Sequence, residues 1–172
     1  PSLSCRLIDY NFPTSDIHSH FSKLYNVDYK KSKELTFKQL YGGVFKQYEH
    51  LEFFKKISIY VKELWEKFEL EGQIVCPVSN FIYKKENLGE MNPQKLFNYL
   101  LQNLETSMNV RILWDIFTVI HNKKSKLILY TYDSFLFDLS EDEEYLKETI
   151  KGIFDKYRFS IKTKQGYNYD FK

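Results

Sequence analysis

The chain has 172 residues and a mass of 20.8 kDa, which is enough for one large domain or two small ones with a substantial core. Hydrophobic residues make up 43% and there are only 4 Pro and 6 Gly, which excludes a disordered or fibrous chain. A net charge of +2 excludes a protein that binds nucleic acid by bulk charge alone.

The composition favours an A+T-rich genome, because alanine is absent and 22 of the 25 basic residues are lysine. Residues 1–60 carry nine basic and six acidic side chains, so this third is the expected anion-facing part. Two cysteines are too few for a disulfide framework or a zinc site, which favours a reducing, cytoplasmic compartment. No apolar run approaches the roughly 20 residues of a membrane span. The start at Pro1, without Met or leader, indicates a piece of something longer.

Three helices are predicted in the first part of the chain. A capping signal over Thr14, Ser15 and Asp16 precedes an apolar stripe at helical spacing. A lysine-rich helix over 30–41 ends at Gly42-Gly43, where a C-cap glycine belongs. A long amphipathic helix runs from about residue 45 to 70 and ends at Gly72.

The remaining elements mix strands and helices. Residues 73–85 predict a short hairpin, and 93–121 predict a helix that is apolar on nearly all sides and therefore central and buried. Trp65 and Trp114 lie on apolar stripes and are assigned to the core. Residues 126–139 predict strand, tight turn and strand, Ser140 caps a helix to about residue 157, and a last strand covers 159–163. The predicted fold class is α+β.

Asp133 is the first candidate for chemistry, since it lies at the turn between two apolar strands. A carboxylate held there by rigid backbone suits a metal ligand in phosphoryl transfer. Turns also favour Asp for purely local hydrogen bonding, so both interpretations stay open. Two-metal chemistry needs at least a second carboxylate, because one charge cannot hold two divalent cations.

The second candidate is the helix over 30–41, where Lys33, Phe37 and Tyr41 are spaced by four and lie in one row. A cation followed by two rings matches a nucleoside triphosphate, with lysine on the phosphates and rings against base or sugar. The alternative is an ordinary amphipathic helix with two core aromatics and a solvated lysine face.

These motifs carry a resemblance to family A DNA polymerases, the bacterial DNA polymerase I type. The stretch KELTFKQLYG at 33–42 resembles motif B on the fingers helix, and DIH at 16–18 resembles the segment before that helix. The stretch LILYTYDSFLF at 127–137 resembles motif C, whose usual core is His-Asp-Glu. Asn98 and Gln102 match an Asn-x-x-x-Gln on the long helix, and the ending KQGYNY at 164–169 is similar to the family's C-terminus.

The resemblance implies a truncated right-hand polymerase fold, with fingers helices in 1–72 and most of an antiparallel palm in 73–172. It implies that Asp133 is a catalytic metal ligand for Mg²⁺ and that Lys33 and His18 contact the triphosphate. Phe37 would stack on the incoming nucleotide and Tyr41 would lie at the templating base. The implied DNA-binding residues are Asn98, Gln102 and Gly42. The implied partners are primer-template DNA, dNTPs and the rest of a polymerase chain, in a bacterial or phage setting.

Several positions depart from the family pattern. Tyr29 stands where an arginine is usual, and Tyr132 and Ser134 replace the usual His and Glu of motif C. Motif A of the family supplies the other metal-binding carboxylate, and the residues around Asp9 resemble it locally. The stretch between Asp9 and Asp16 is shorter than the family places there. Residues 1–8 are therefore interpreted as the helix that follows motif A, with the catalytic Asp upstream.

The resulting hypothesis is a DNA-directed DNA polymerase fragment with little or no activity of its own. The alternative is a non-catalytic nucleic-acid-binding or scaffold domain that kept the palm architecture, favoured by the altered residues around Asp133. A reverse-transcriptase-like palm is disfavoured, because Ser134 stands where a second Asp is usual.

Overall fold

The computed structural model describes residues 2–12, 16–131, 134–159 and 161–167. Its elements form two compact units, Pro1–Glu105 and Thr106–Lys172. This division lies inside the long helix, whereas the sequence prediction separated fingers from palm after residue 72. Compactness and function are different criteria, so the functional division stays a prediction.

The first unit is mainly helical. Its elements are α1 (Ser2–Leu7), α2 (Ile17–Tyr25), α3 (Tyr29–Gly42), α4 (Glu52–Glu71), β1 (Gln73–Val75), β2 (Ile82–Lys84) and the first part of α5 (Pro93–Ile120). Asp16 caps α2 by accepting from the Ser19 N–H, as the sequence predicts. The helix α4 begins at Glu52 and not at residue 45. Residues 46–48 form a separate 3-10 turn, because the Tyr48 ring packs against Tyr25 at a centroid distance of 4.5 Å.

Aromatic rings fill the core of the first unit. Phe21 lies at its centre, with ring centroids of Phe12, Tyr25, Phe53 and Phe54 all within 5.2 to 5.6 Å. A neighbouring cluster packs the β1–β2 hairpin against α4 and α5 through Phe68, Ile74, Cys76, Tyr83, Leu96 and Leu100. Without alanine, these helices fill their interfaces with large side chains.

The second unit contains the rest of α5, an antiparallel hairpin and a C-terminal helix. The strands are β3 (Lys126–Thr131) and β4 (Ser134–Asp138), and the helix is α6 (Leu146–Lys156). Ile112, Ile116 and Ile120 of α5 pack with Leu146, Ile150, Ile153 and Phe154 of α6. The fold class is α+β, as predicted.

Three sequence predictions for the second unit are wrong. Trp114 is 74% exposed, so α5 is not buried all round, because α6 and the hairpin cover only the isoleucine side of the helix. The Ser140 side chain caps no helix, and α6 begins at Leu146 after a 3-10 turn. Residues 159 and 161–163 form no strand, because the Phe159 N–H closes the end of α6 by donating to the Phe154 carbonyl.

In the part of the chain that the structure describes, no helix is long and apolar enough to cross a membrane.

Candidate nucleotide-binding face

The helix α3 presents the row that the sequence singled out. Asp28 caps it by accepting from the Lys31 N–H at 2.8 Å, and Gly43, with φ +101°, ends it as the Gly43 N–H donates to the Gln39 carbonyl. The cap adds a carboxylate at the positive end of the helix dipole. The end at Gly42-Gly43 is the one that the sequence predicts, whereas the Asp28 cap is seen only in the structure.

Lys33, Phe37 and Tyr41 form a continuous strip on α3, which we call the strip from here on. The Phe37 and Tyr41 rings are nearly parallel, with centroids 6.0 Å apart and an interplanar angle of 8°. The Lys33 Nζ atom lies 6.0 Å from the Phe37 centroid. Tyr41 is 42% exposed and Phe37 is half-buried, so the rings are not core residues of the usual kind. The structure thus brings together the three residues predicted to bind a nucleotide.

The charges on α3 leave Lys33 without a counter-ion among the described residues. Glu34 accepts from Lys31 at 3.0 Å and from Lys38 at 2.7 Å, so it binds two of the other three lysines of α3. These two bonds lower the pKa of Glu34 to about 2, and the carboxylate stays ionised at neutral pH. The Lys33 ammonium can therefore meet an anionic ligand without first breaking an ion pair.

His18 of α2 lies beside the strip, as predicted. Its ring centroid is 5.7 Å from that of Phe37 and 5.9 Å from that of Tyr29. The Nδ1 atom is buried and has no hydrogen-bond partner. Burial lowers the pKa of His18, and the charge of Lys33 lowers it further, so the ring is neutral at pH 7. Tyr29 extends the strip by one helical turn in the N-terminal direction.

The predicted DNA-binding residues lie at the other end of α3. The Asn98 Nδ2 atom donates to the Tyr41 carbonyl at 2.9 Å, and its buried Oδ1 atom has no partner. Asn98 therefore ties α5 to the last turn of α3. Gln102 follows one turn later and is exposed, and an added Cβ at Gly42 would meet nothing within 4 Å. The surface at this end of the strip is open.

Asp133 and its neighbour Tyr132 lie outside the described residues. On the flanks of the hairpin turn, Ser134 Oγ donates to the Thr131 carbonyl at 3.1 Å, which closes the end of the β3–β4 ladder. Ser134, which departs from the family pattern, therefore has a local structural role in the hairpin. The role of Asp133 stays a prediction.

The base of the same hairpin has an anchor that the sequence reading missed. Glu143 accepts from the backbone N–H groups of Lys124 at 3.1 Å and Ser125 at 2.8 Å, and the Ser125 Oγ atom accepts from the Ser140 N–H. The bonds to Ser125 lower the pKa of Glu143. The signal that could have found this anchor is the carboxylate in a short turn close to a strand start.

Asp9 does not occupy the end of a strand. It follows α1 in a turn, with φ +46°, and its carbonyl accepts from Lys56 Nζ at 3.4 Å. The helix α1 at Ser2–Leu7 agrees with the interpretation of residues 1–8 as a helix. Within the described ranges, no three or more His, Cys, Asp or Glu side chains are grouped so that they could hold a metal ion.

The fold of this chain is that of a DNA polymerase domain. The chain is similar to a solved structure described as the POL domain of Pol1 from M. smegmatis in complex with DNA primer-template and dNTP. The TM-score is 0.70 at 15% identity, and the match covers 90% of this chain and 35% of that one. The chain thus spans about a third of the neighbour's length. No protein-family model matches, and no curated protein matches either.

Proposed function

We propose that this chain is the fingers and palm portion of a family A DNA-directed DNA polymerase. The full enzyme adds a dNTP to a primer 3′-OH and releases pyrophosphate. The single observation that carries the proposal is the strip on α3, with its unpaired Lys33 charge, in a chain whose fold is that of a polymerase domain. The neighbour's complex with primer-template and dNTP supports the same partners for this chain. The proposed setting is a bacterial or phage-infected cell.

In this proposal the strip holds the incoming nucleotide. Lys33 binds the triphosphate oxygens by charge-assisted hydrogen bonds, Phe37 stacks on the nucleotide, and His18 contacts the phosphates from α2. In the chain without nucleotide the pKa of His18 is lowered, so its neutral ring can meet the triphosphate through a hydrogen bond. Tyr41 marks the end of the strip, where the template base lies.

Asn98, Gln102 and Gly42 form the proposed contact to the primer-template. Asn and Gln amides can reach minor-groove acceptors that all correctly paired bases present in similar places, so they check shape and not sequence. Since Asn98 is bonded to the Tyr41 carbonyl, a change at the duplex can reach the end of the strip through one side chain.

Asp133 is the proposed metal ligand. A carboxylate oxygen is the donor that Mg²⁺ prefers, but one carboxylate cannot hold two ions, so a second one is required. We assign it to an Asp upstream of Pro1 in preference to Asp9, which lies in a turn after a helix. Bound Mg²⁺ would lower the pKa of the primer hydroxyl and neutralise the charge that develops on the phosphates.

Two measurements test the proposal. Nucleotide binding to the 172-residue chain is followed by NMR shift changes on titration with dATP, which should map to α3 and the start of α2. Primer extension by this chain with Mg²⁺ should be absent or very weak. Extension that Asp133→Ala abolishes would show that the chain holds both carboxylates and would favour Asp9 as the second ligand.

A second function, a non-catalytic nucleic-acid-binding scaffold, is favoured by Tyr132 and Ser134 in place of the usual His and Glu. Under this alternative the chain binds primer-template DNA, but dATP neither binds to the strip nor changes the affinity for DNA. The same dATP titration, with and without a primer-template duplex, separates the two functions.

A further inference from the structure

A row of polar side chains is buried where α3 packs against α2. Ser32, Thr36 and Gln39 are each 0% exposed, and Tyr25, which faces them from α2, is 7% exposed. We call these four residues the polar seam. The buried face of an amphipathic helix is normally apolar. On α3, Leu40 is buried and Leu35 packs against the core, but three polar side chains are buried beside them, which burial of apolar surface does not explain.

The donor of each hydrogen bond in the polar seam follows from the groups present. The Phe45 N–H donates to Gln39 Oε1 at 3.3 Å, and Gln39 Nε2 donates to the Tyr25 hydroxyl at 3.1 Å. Thr36 Oγ1 donates to the Ser32 carbonyl at 2.8 Å, which uses its one hydrogen. Across the 3.4 Å contact between Tyr25 and Thr36, the Tyr25 hydroxyl is therefore the donor.

Both ends of the polar seam are attached outside α3. At one end Ser32 Oγ donates to the His18 carbonyl on α2 at 2.9 Å. At the other end Gln39 receives the N–H of Phe45, in the segment that follows the helix. The seam thus fixes α3 at its first turns, at its middle and at its exit.

The polar seam and the aromatic rings of α3 favour different rotations of the helix about its axis. Lys33 and Phe37 follow Ser32 and Thr36 by one residue, which places the strip about 100° around the helix from the seam. Rotation by that angle would turn the Phe37 and Tyr41 rings inwards and expose three polar side chains, which apolar area alone favours. Two costs oppose the rotation: the Lys33 ammonium would move to the buried position of Ser32, and each polar group that α3 contributes to the seam would lose a partner fixed on α2 or on the exit segment.

We propose that the polar seam is a positioning device that sets the rotation of α3 about its axis and so keeps the strip on the outside. Tyr25, Thr36 and Gln39 are positioning residues and do not touch the nucleotide. The link to nucleotide binding rests on the proposed function, whereas the placement of the strip does not.

The first test measures which face of α3 is exposed, without any nucleotide. Tyr41→Cys introduces a thiol on the strip, and the native Cys5 and Cys76 are both buried, with burial raising the pKa of Cys5 to about 11. The seam is then broken by Tyr25→Phe, the seam variant, which keeps the ring and removes the hydroxyl, so that Thr36 and Gln39 stay polar and lose their side-chain partner on α2. We expect the thiol at position 41 to react with an aromatic disulfide at least twofold more slowly in the seam variant. An unchanged rate overturns the proposal.

Controls separate rotation from loss of folding. Tyr60→Phe removes a hydroxyl from a half-buried tyrosine that packs on Phe97, outside the seam, and should leave the thiol rate unchanged. Thermal unfolding confirms that the seam variant keeps a cooperative transition. The seam variant should also speed amide hydrogen exchange at Phe45, whose N–H donates to Gln39, and the absence of both effects overturns the proposal.

The second test titrates dATP against proteins that retain Tyr41. The seam variant should bind at least twofold more weakly than the parent. If Lys33→Met leaves the affinity unchanged while the seam variant still slows the thiol reaction, the proposed function fails and the positioning role stands. If Lys33→Met weakens binding while the seam variant changes neither measurement, the positioning role fails and the proposed function stands.

Discussion

Replacement of Lys33 by methionine should weaken dNTP binding by about 5- to 30-fold. A hydrogen bond to a charged group contributes about 1.5–3 kcal/mol. The Lys33 side chain is exposed, so solvent screening reduces this to about 1–2 kcal/mol, and 1.4 kcal/mol corresponds to a factor of ten in Kd. Lys33 has no ion pair within the described part of the chain, so it binds the dNTP without breaking one. Its replacement therefore removes the contact and saves no such cost.

Lys38→Met is the matched control. Lys38 is also an exposed lysine of α3, but Glu34 holds its ammonium at 2.7 Å, and five residues place it about 140° around the helix from Lys33. At about 10 Å in water a pair of unit charges contributes about 0.4 kcal/mol, and salt at about 0.15 M reduces it further. The control should therefore weaken binding by about threefold at most.

The assay is titration of dATP at fixed ionic strength, followed by NMR shifts, with thermal unfolding to confirm equal folding. Both lysines are exposed, so each substitution should change the free energy of unfolding by less than about 0.5 kcal/mol. Equal loss of affinity for the two variants would refute the assignment of Lys33 as the phosphate contact, because general charge would then account for binding. No loss for Lys33→Met would refute it as well.

Three further predictions concern the fold. Phe54 is 0% exposed, so Phe54→Ala should lower the free energy of unfolding by about 3–5 kcal/mol in a denaturant titration. Phe45 is 38% exposed, so the control Phe45→Ala should lower it by less than about 1 kcal/mol. Folding lowers the pKa of His18, so the neutral ring contributes its full share of stability above about pH 6.5. This contribution is lost as the pH falls towards the pKa of the folded chain. His18→Asn should therefore make Tm less sensitive to a change from about pH 7.5 to 5.5. With Trp65→Phe, fluorescence reports Trp114 alone and should show the red-shifted, readily quenched emission of an exposed indole.

A specific result would refute each of these three predictions. Equal destabilisation by Phe54→Ala and Phe45→Ala would contradict the aromatic core around Phe21. An unchanged pH response in His18→Asn would mean that the buried imidazole does not titrate differently in the folded chain. Blue-shifted, protected emission from Trp114 would restore the original assignment of this residue to the core.

Much of the fold could be predicted from local patterns. The cap at Asp16, the ends at Gly42 and Gly72, and the change from helical to alternating spacing locate most elements within a few residues. Such signals depend on short-range hydrogen bonds and on periodicity, so they are present in the sequence itself. The exceptions lie where tertiary partners decide, as at Tyr48, whose ring packs on Tyr25 and belongs to a separate turn before α4.

The candidate site divides in the same way. Spacing by four predicted that Lys33, Phe37 and Tyr41 share a row, because helix geometry alone fixes their relation. Periodicity did not predict which side of α3 faces out, since the aromatic row and the polar row compete for the core. The partners of the polar row lie at distant positions, Tyr25, His18 and Phe45, and only the tertiary structure brings them together.

The sequence by itself therefore determined most of the elements, the α+β class and the order of residues on each helix. The tertiary structure decided which faces are buried, that Trp114 is exposed, that Glu143 anchors the hairpin and that the Lys33 charge has no counter-ion among the described residues. The physical reason is range: spacing and capping act within a few residues, whereas burial and the pairing of polar groups depend on segments far apart in the chain.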